Sequence, residues 1–416
     1  MNRKEYSISN KHIKYKKNFI SFFILYIIFT FLIYTLPYTK VKVPYVISGS
    51  LMLGFLPIAI LKKRQWKNFT ILLVLLSFFI FLLDFFIGGY SIIDSLNEMI
   101  RNIRFYTPVL WTLYILIYCR KEEYKYFFIS FISIVSVILY KTLNALETNQ
   151  WITRILAKAK TQDTLEIRAY RLQNVGGFEF SYMMGIVIIC LVWTALKTRN
   201  KFIKVICLCA TGISYYYIIK TMYTTLLILT SISVLMLIIF NIRNKGIKLT
   251  IIIVFFILIF GLIPFLEFLS SIFIDSLLSI KFMQIHDALM YGNLEALGSR
   301  PQHILDALEN WMNSPILGGY NVGNKNHSTI IGLLERNGLV GLSIYIFLYY
   351  KSWKILKCNL KYNGYNYFLV NIVFLYTLML SFFNPIGYIF EITISTFFVA
   401  PLWSIIFQNM DRIKKR

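Results

Sequence analysis

The stretch Phe180–Leu196 reads FSYMMGIVIICLVWTAL, and it decides the class of fold. It holds no charged residue, and its apolar side chains run on without the alternation of a half-buried strand. A helix of about 20 such residues crosses the hydrocarbon core of a bilayer. In lipid only helices and closed barrels satisfy their own backbone groups, and a continuous run selects the helix.

Similar runs recur on both sides of it. The chain has 416 residues, of which 57% are hydrophobic, 17% aromatic and only 15% charged. That is more apolar surface than a soluble domain of this size needs. The pattern predicts an all-α polytopic transmembrane protein, a single integral-membrane domain over 1–416, with about twelve spans. They fall near 18–36, 43–61, 68–88, 105–119, 124–140, 180–196, 202–220, 223–241, 248–268, 328–350, 366–384 and 386–407. The first run follows a basic N-terminus, is too long for a signal peptide and lacks a small-residue cleavage site, so a retained signal anchor is expected.

The formal net charge of +24 would suit nucleic acid, but its placement argues against that partner. The cations sit in short segments between apolar runs, among them Lys62-Lys63-Arg64, Arg120-Lys121, Lys197 to Lys204 and Lys351 to Lys361. Basic short loops mark the cytoplasmic side, which puts both termini there. The Lys/Ile/Asn/Tyr-rich composition suggests an AT-rich bacterial genome, so a bacterial plasma membrane is expected. Two long loops, 141–179 and 269–327, are then external and carry short amphipathic helical patterns. Loops of that length are uncommon without a role. Residues 91–104 have helical apolar spacing and are expected to lie flat on the outer surface. The five cysteines fall outside both external loops and form no CxxC, so neither a disulfide framework nor a cysteine metal site is expected.

The ionisable residues near spans map to outer halves: Asp84, Arg104, Glu179, Lys220, Glu267, Glu335, Arg336 and Glu391. Charges inside a membrane are costly and usually functional, though those at helix ends also snorkel to the interface. The pattern predicts a polar chamber open to the outer face and closed toward the cytoplasm. A transport path would need polar lining through the whole thickness.

The richest polar stretch is Gly298–Gly341, GSRPQHILDALENWMNSPILGGYNVGNKNHSTIIGLLERNGLVG. Pro301 suits the first turn of a helix. That helix is expected to turn Ile304, Leu305, Leu308, Trp311 and Met312 to one face and to end at Ser314-Pro315. Glycines and asparagines then allow tight turns. His327 stands at the mouth of the tenth span, with Glu335 and Arg336 about 12 Å further along the helix. A histidine there either takes a proton near neutral pH or hydrogen-bonds backbone at the interface.

In order, Arg300, Trp311, Pro315, Gly318-Gly319, His327, Glu335 and Gly338-Leu339-Val340-Gly341 resemble the signature of the O-antigen ligase and polymerase family. These are integral-membrane transferases of lipid-linked polysaccharide. The family's second mark, an arginine followed by glycine and an aromatic in the earlier external loop, is matched by Arg171 to Phe178. Two departures stand out: Gly318-Gly319-Tyr320 replaces a Gly-x-Gly, and Ser328 follows the histidine where the family has Asn.

The resemblance implies glycosyl transfer on the outer membrane face, from a glycan on undecaprenyl diphosphate to a sugar hydroxyl, most simply with inversion. It assigns Arg171 and Arg300 to the donor diphosphate, which suits a guanidinium fork. The structural alternative for both is loop solvation. His327 becomes the general base, with Lys220, Glu335 and Arg336 as second candidates. The leaving group is already activated, so the implied chemistry needs no metal or other cofactor. A repeat-unit polymerase of capsule, exopolysaccharide or O-antigen is the leading reading, with a flippase and a chain-length regulator as implied partners beside membrane lipids. A ligase that moves finished glycan to lipid A core or another acceptor shares the same motif. A polysaccharide flippase or other transporter is the rival from another class.

Overall fold

The structure, a computed structural model, describes residues 36–37, 64–118, 124–158, 164–242, 244, 246, 249–250, 253, 262–272, 277–291, 300–319, 328–384 and 389–413. Regular structure among them is helical throughout. In chain order the helices are α1 (Arg64–Leu82), α2 (Ile92–Tyr118), α3 (Tyr124–Thr148), α4 (Ile152–Lys158), α5 (Leu165–Leu172), α6 (Phe178–Lys197), α7 (Lys201–Thr221) and α8 (Thr224–Asn241). Then follow α9 (Leu262–Ile272), α10 (Leu277–Tyr291), α11 (Arg300–Asn313), α12 (Thr329–Tyr362), α13 (Phe368–Phe383), α14 (Phe390–Ile394) and α15 (Ala400–Ile413). A π-helical turn, Leu83–Ile87, extends α1, and another, Ser395–Val399, joins α14 to α15.

Among the described residues, seven helices are long and apolar enough to cross a membrane. They match the predicted third, fifth, sixth, seventh, eighth, tenth and twelfth spans. The predicted eleventh is the shorter apolar helix α13. The first two predicted spans lie outside the described residues, apart from Leu36, as does most of 248–268.

The central element is α6. Every residue from Phe180 to Ala195 is buried, as expected for a helix that is apolar all round. It packs on α7, α8, α13 and the α14–α15 arm. Gly185 lets α13 come close: a methyl group there would run into the Tyr376 hydroxyl. Near its other end Thr194 Oγ1 accepts from Trp403 Nε1 at 2.7 Å. Thus α6 and α15 run in parallel, and the long basic helix end Lys351 to Lys361 lies at the same end of the bundle as Lys197 and Lys201, reached through α13.

Two expectations need correction. Residues 91–104 are not a separate surface helix, because α2 runs unbroken from Ile92 to Tyr118. Pro108 lies inside it, and Ile103 to Leu116 are all buried. Its first turns instead use Glu98 to reach Arg336, which ties the segment to the bundle. The tenth span is not one straight helix either: α12 is broken at Gly338, which has φ 61° and ψ −160°.

Candidate functional site

The break in α12 is closed by the turn that precedes it. In an unbroken helix the Leu339 and Val340 amides would donate to Glu335 and Arg336. Here Leu339 N–H donates to the Pro315 carbonyl at 2.9 Å and Val340 N–H to the Ile316 carbonyl at 3.2 Å. The Glu335 carbonyl is met by Gly319 N–H at 2.8 Å. Irregular backbone at membrane depth persists only when such partners exist. Two glycines permit the approach. Gly318 has φ 87°, and a Cβ on it would strike the Arg336 carbonyl; a Cβ on Gly338 would strike that of Ile316. Trp311 Nε1 adds a 2.9 Å hydrogen bond to the Pro315 carbonyl, so α11, the turn and the break form one unit.

Helix α11 starts at Arg300 and ends at Asn313, as its sequence predicts, but its inner face differs. Ala307 is buried, with His303, Ile304, Leu308 and Trp311 half-buried around it, while Leu305 and Met312 are exposed. The helix turns toward the stripe that meets α12, and the two outlying apolar residues fall off that stripe. Asn310 supplies the contact, donating to Glu335 Oε1 at 2.8 Å.

Beneath this unit lies a charge cluster. Arg336 donates from Nε to Asp84 Oδ1 at 3.1 Å and from Nη2 to Asp84 Oδ2 at 2.9 Å. Its Nη1 sits 3.1 Å from Glu98 Oε1, and the Tyr90 ring covers its guanidinium with 4.3 Å between Cζ and the ring centre. Asn337 donates to Asp84 Oδ1 at 2.8 Å, and Arg101 pairs with Glu98. Asp84 lies in the π-helical turn after α1 and is buried, as are Glu335 and Asn337. Burial raises the Tyr90 phenol pKa, against the pull of the Arg336 charge. All three nitrogens of Arg336 are engaged by protein carboxylates. The cluster therefore holds α1, α2 and α12 together and offers a phosphate little.

Arg171 is placed differently. It lies in the last turn of α5, which starts at the Thr164 cap and closes in a Schellman turn: Val175 N–H to Tyr170 C=O, Asn174 N–H to Arg171 C=O, and Asn174 at φ 62°. Gly176 N–H then donates to Thr142 Oγ1 at 2.7 Å, fixing the loop on α3. Arg154 of α4 holds the Met222 carbonyl at 2.9 Å at the α7–α8 corner. The result is a pocket at the start of α6, lined by Pro37, Leu156, Arg171, Gly176, Glu179 and Glu391 among others. Arg171 is half-buried, and its guanidinium has no ion pair or hydrogen bond among the described residues. Glu391 is 3% exposed.

The start of α12 is tied to the same end of the bundle. Ser328 caps the helix by accepting from Ile331 N–H at 3.2 Å and donates to the Ser381 carbonyl. Thr329 N–H and Oγ1 donate to the Asn384 carbonyl at 3.1 and 3.0 Å, and Tyr182 of α6 donates to the Asn384 side chain. Of the expected site residues, His327 lies outside the described residues, and Arg300 is the first residue of α11. Lys220 is half-exposed in the last turn of α7, with its Nζ 5.5 Å from the Tyr216 ring. Glu335 and Arg336 meet in the charge cluster and its α11 contact, whereas Arg171 belongs to the separate pocket with Glu179 and Glu391.

Sequence reading passed over Glu98, Tyr90, Asn310 and Asn337, all of which contact Arg336, Asp84 or Glu335. Only Glu98 carried a signal, as an acid among the apolar positions of 91–104. Among the described residues no group of three His, Cys, Asp or Glu side chains could hold a metal ion, and the four described cysteines are free. No protein-family model matches the chain, and no curated protein matches it.

Proposed function

We propose that this membrane protein is a glycosyltransferase that polymerises undecaprenyl-diphosphate-linked repeat units of a surface polysaccharide. The reading puts the end of the bundle that carries Arg171, Glu391, Glu335 and Arg300 on the outer face. The basic character of the other end, with Lys197, Lys201, Lys351, Lys354, Lys357 and Lys361, supports that orientation. The same reading includes the twelve-span layout with cytoplasmic termini.

The observation that carries the reading is Arg171. Its guanidinium lines a pocket and lacks a carboxylate partner among the described residues, while Arg336 is saturated by Asp84 and Glu98. A fixed, permanently charged fork suits a diphosphate and steadies the charge that builds on it as it leaves. Arg300 takes the second place at the diphosphate, and His327 accepts the proton of the attacking hydroxyl. The new glycosidic bond forms at the anomeric carbon as the bond to the diphosphate oxygen breaks. Glu335 holds α11 and the turn of residues 315–319 against α12, and Arg336 ties α12 to α1 and α2.

The test is a reconstitution. Full-length protein in lipid nanodiscs receives the lipid-linked glycan extracted from cells that lack it, and products are separated by size. A ladder is expected from the wild type, and its loss from R171A, R300A and H327A. A single transfer without a ladder would favour the ligase. Full activity in all three variants would sink the mechanism.

A further inference from the structure

We infer that the basic end of α12 binds the phosphate headgroup of an anionic phospholipid. The inference stands apart from the transferase reading. From Gly338 to Tyr362, α12 runs for about 36 Å, more than the roughly 30 Å of a bilayer core, so its last turns enter the headgroup layer. Lys351, Lys354, Lys357 and Lys361 fall there on one side of the helix, while Ser352, Leu356 and Leu360 are buried on the other.

Three of these lysines fold back onto aromatic rings one turn earlier. Nζ lies 5.2 Å from the Phe347 ring centre for Lys351, 5.9 Å from that of Tyr350 for Lys354, and 4.5 Å from that of Trp353 for Lys357. Lys357 also lies 5.2 Å from the Tyr367 ring, and Trp353 is held by donating to Asn371 Oδ1 at 2.9 Å. Helical side chains lean toward the N-terminus, which for α12 is the membrane side of this cluster. The ammonium groups are thus carried back to the level of the rings, where Trp and Tyr meet headgroups, instead of snorkelling away into water.

No Asp or Glu occurs between Glu335 and Glu391, and none of the four lysines pairs with a carboxylate among the described residues. A phospholipid supplies the missing anion at the right depth. Its phosphate oxygens accept from the lysines, and its acyl chains lie along Phe347 and Tyr350, both of which are exposed. An acidic protein arriving from water would find three of the charges leaning away from it. The bound lipid fixes the depth of α12, roughly 20 Å along the helix from the break at Gly338.

The experiment titrates full-length protein in detergent micelles with dioleoyl phosphatidylglycerol or dioleoyl phosphatidylcholine and counts bound lipid by native mass spectrometry. The wild type is expected to bind phosphatidylglycerol at least about tenfold more tightly, and K351A/K354A/K357A to lose that preference at about fivefold per lysine. K351R/K354R/K357R, which keeps the charge, retains it. K197A/K201A/K204A removes as many charges at the same end of the bundle and also retains it. All variants are expected to melt as the wild type does in phosphatidylcholine, which reports that they are folded. Equal binding of the two lipids by the wild type overturns the inference, as does an unchanged preference in K351A/K354A/K357A or an equal loss in K197A/K201A/K204A. Displacement of the lipid by millimolar inorganic phosphate would assign the site to free phosphate. Lysine-dependent binding of a polyglutamate peptide without binding of phosphatidylglycerol would assign it to an acidic protein. Either result overturns the lipid.

Discussion

Arg336 holds Asp84 with two nitrogens at 3.1 and 2.9 Å across 252 residues of sequence, and only 1% of the Asp84 side chain is exposed. An ion pair this buried contributes little net stability relative to an apolar pair, but breaking it leaves an uncompensated charge. D84A and R336A are each expected to destabilise the protein by about 3–5 kcal/mol. The double variant should lose much less than the sum, because neither charge is then stranded. Thermal unfolding in detergent measures this. An R336A protein of unchanged stability would mean that Arg336 is free to bind a ligand.

Gly318 and Gly338 both have positive φ, at 87° and 61°, and each faces a carbonyl of the other's segment. G318A and G338A are expected to cost at least about 1–3 kcal/mol in backbone strain and to undock the turn. Hydrogen exchange at the Leu339 and Val340 amides reports it, since both donate to that turn. Protection as slow as in the wild type would contradict the interlock.

Tight packing of α6 on α13 at Gly185 gives a third prediction. G185A drives a methyl group into the Tyr376 hydroxyl and is expected to cost about 1–3 kcal/mol by overpacking. Y376F removes the oxygen that is struck, so G185A/Y376F should recover part of the loss in the same melting assay. Additive losses would mean the strain lies elsewhere.

Orientation can be tested with exposed positions at the two ends. Ala169→Cys near Arg171 is expected to react with a membrane-impermeant maleimide added to whole cells, and Lys361→Cys only after lysis. The reverse pattern would put the Arg171 pocket in the cytoplasm and end the proposed function.

The class of fold was legible because apolar runs such as Phe180–Leu196 admit one secondary structure in lipid. The site was legible only in part. Arg336 and Asp84 could be picked out as charges in apolar runs, yet nothing local says that they meet. Pairing across 252 residues depends on how α1, α2 and α12 pack. The break at Gly338 was hidden for a similar reason. Glycine is tolerated within helices at a modest cost, and the partners that open this one lie in the turn at Pro315–Gly319. Residues 91–104, with Glu98 among them, were misread because helical apolar spacing fits a surface helix and the first turns of a longer helix equally well.

The interlock at Gly338 also bears on how the chain is made. The turn at Pro315–Gly319 leaves the ribosome before the amides of Leu339 and Val340, which it will accept. A helix break that reached lipid alone would hold two unanswered donors there. Because its acceptors are synthesised first, the break can be sealed as it emerges, and a truncation or insertion between 319 and 328 would expose it during membrane insertion rather than in the finished protein.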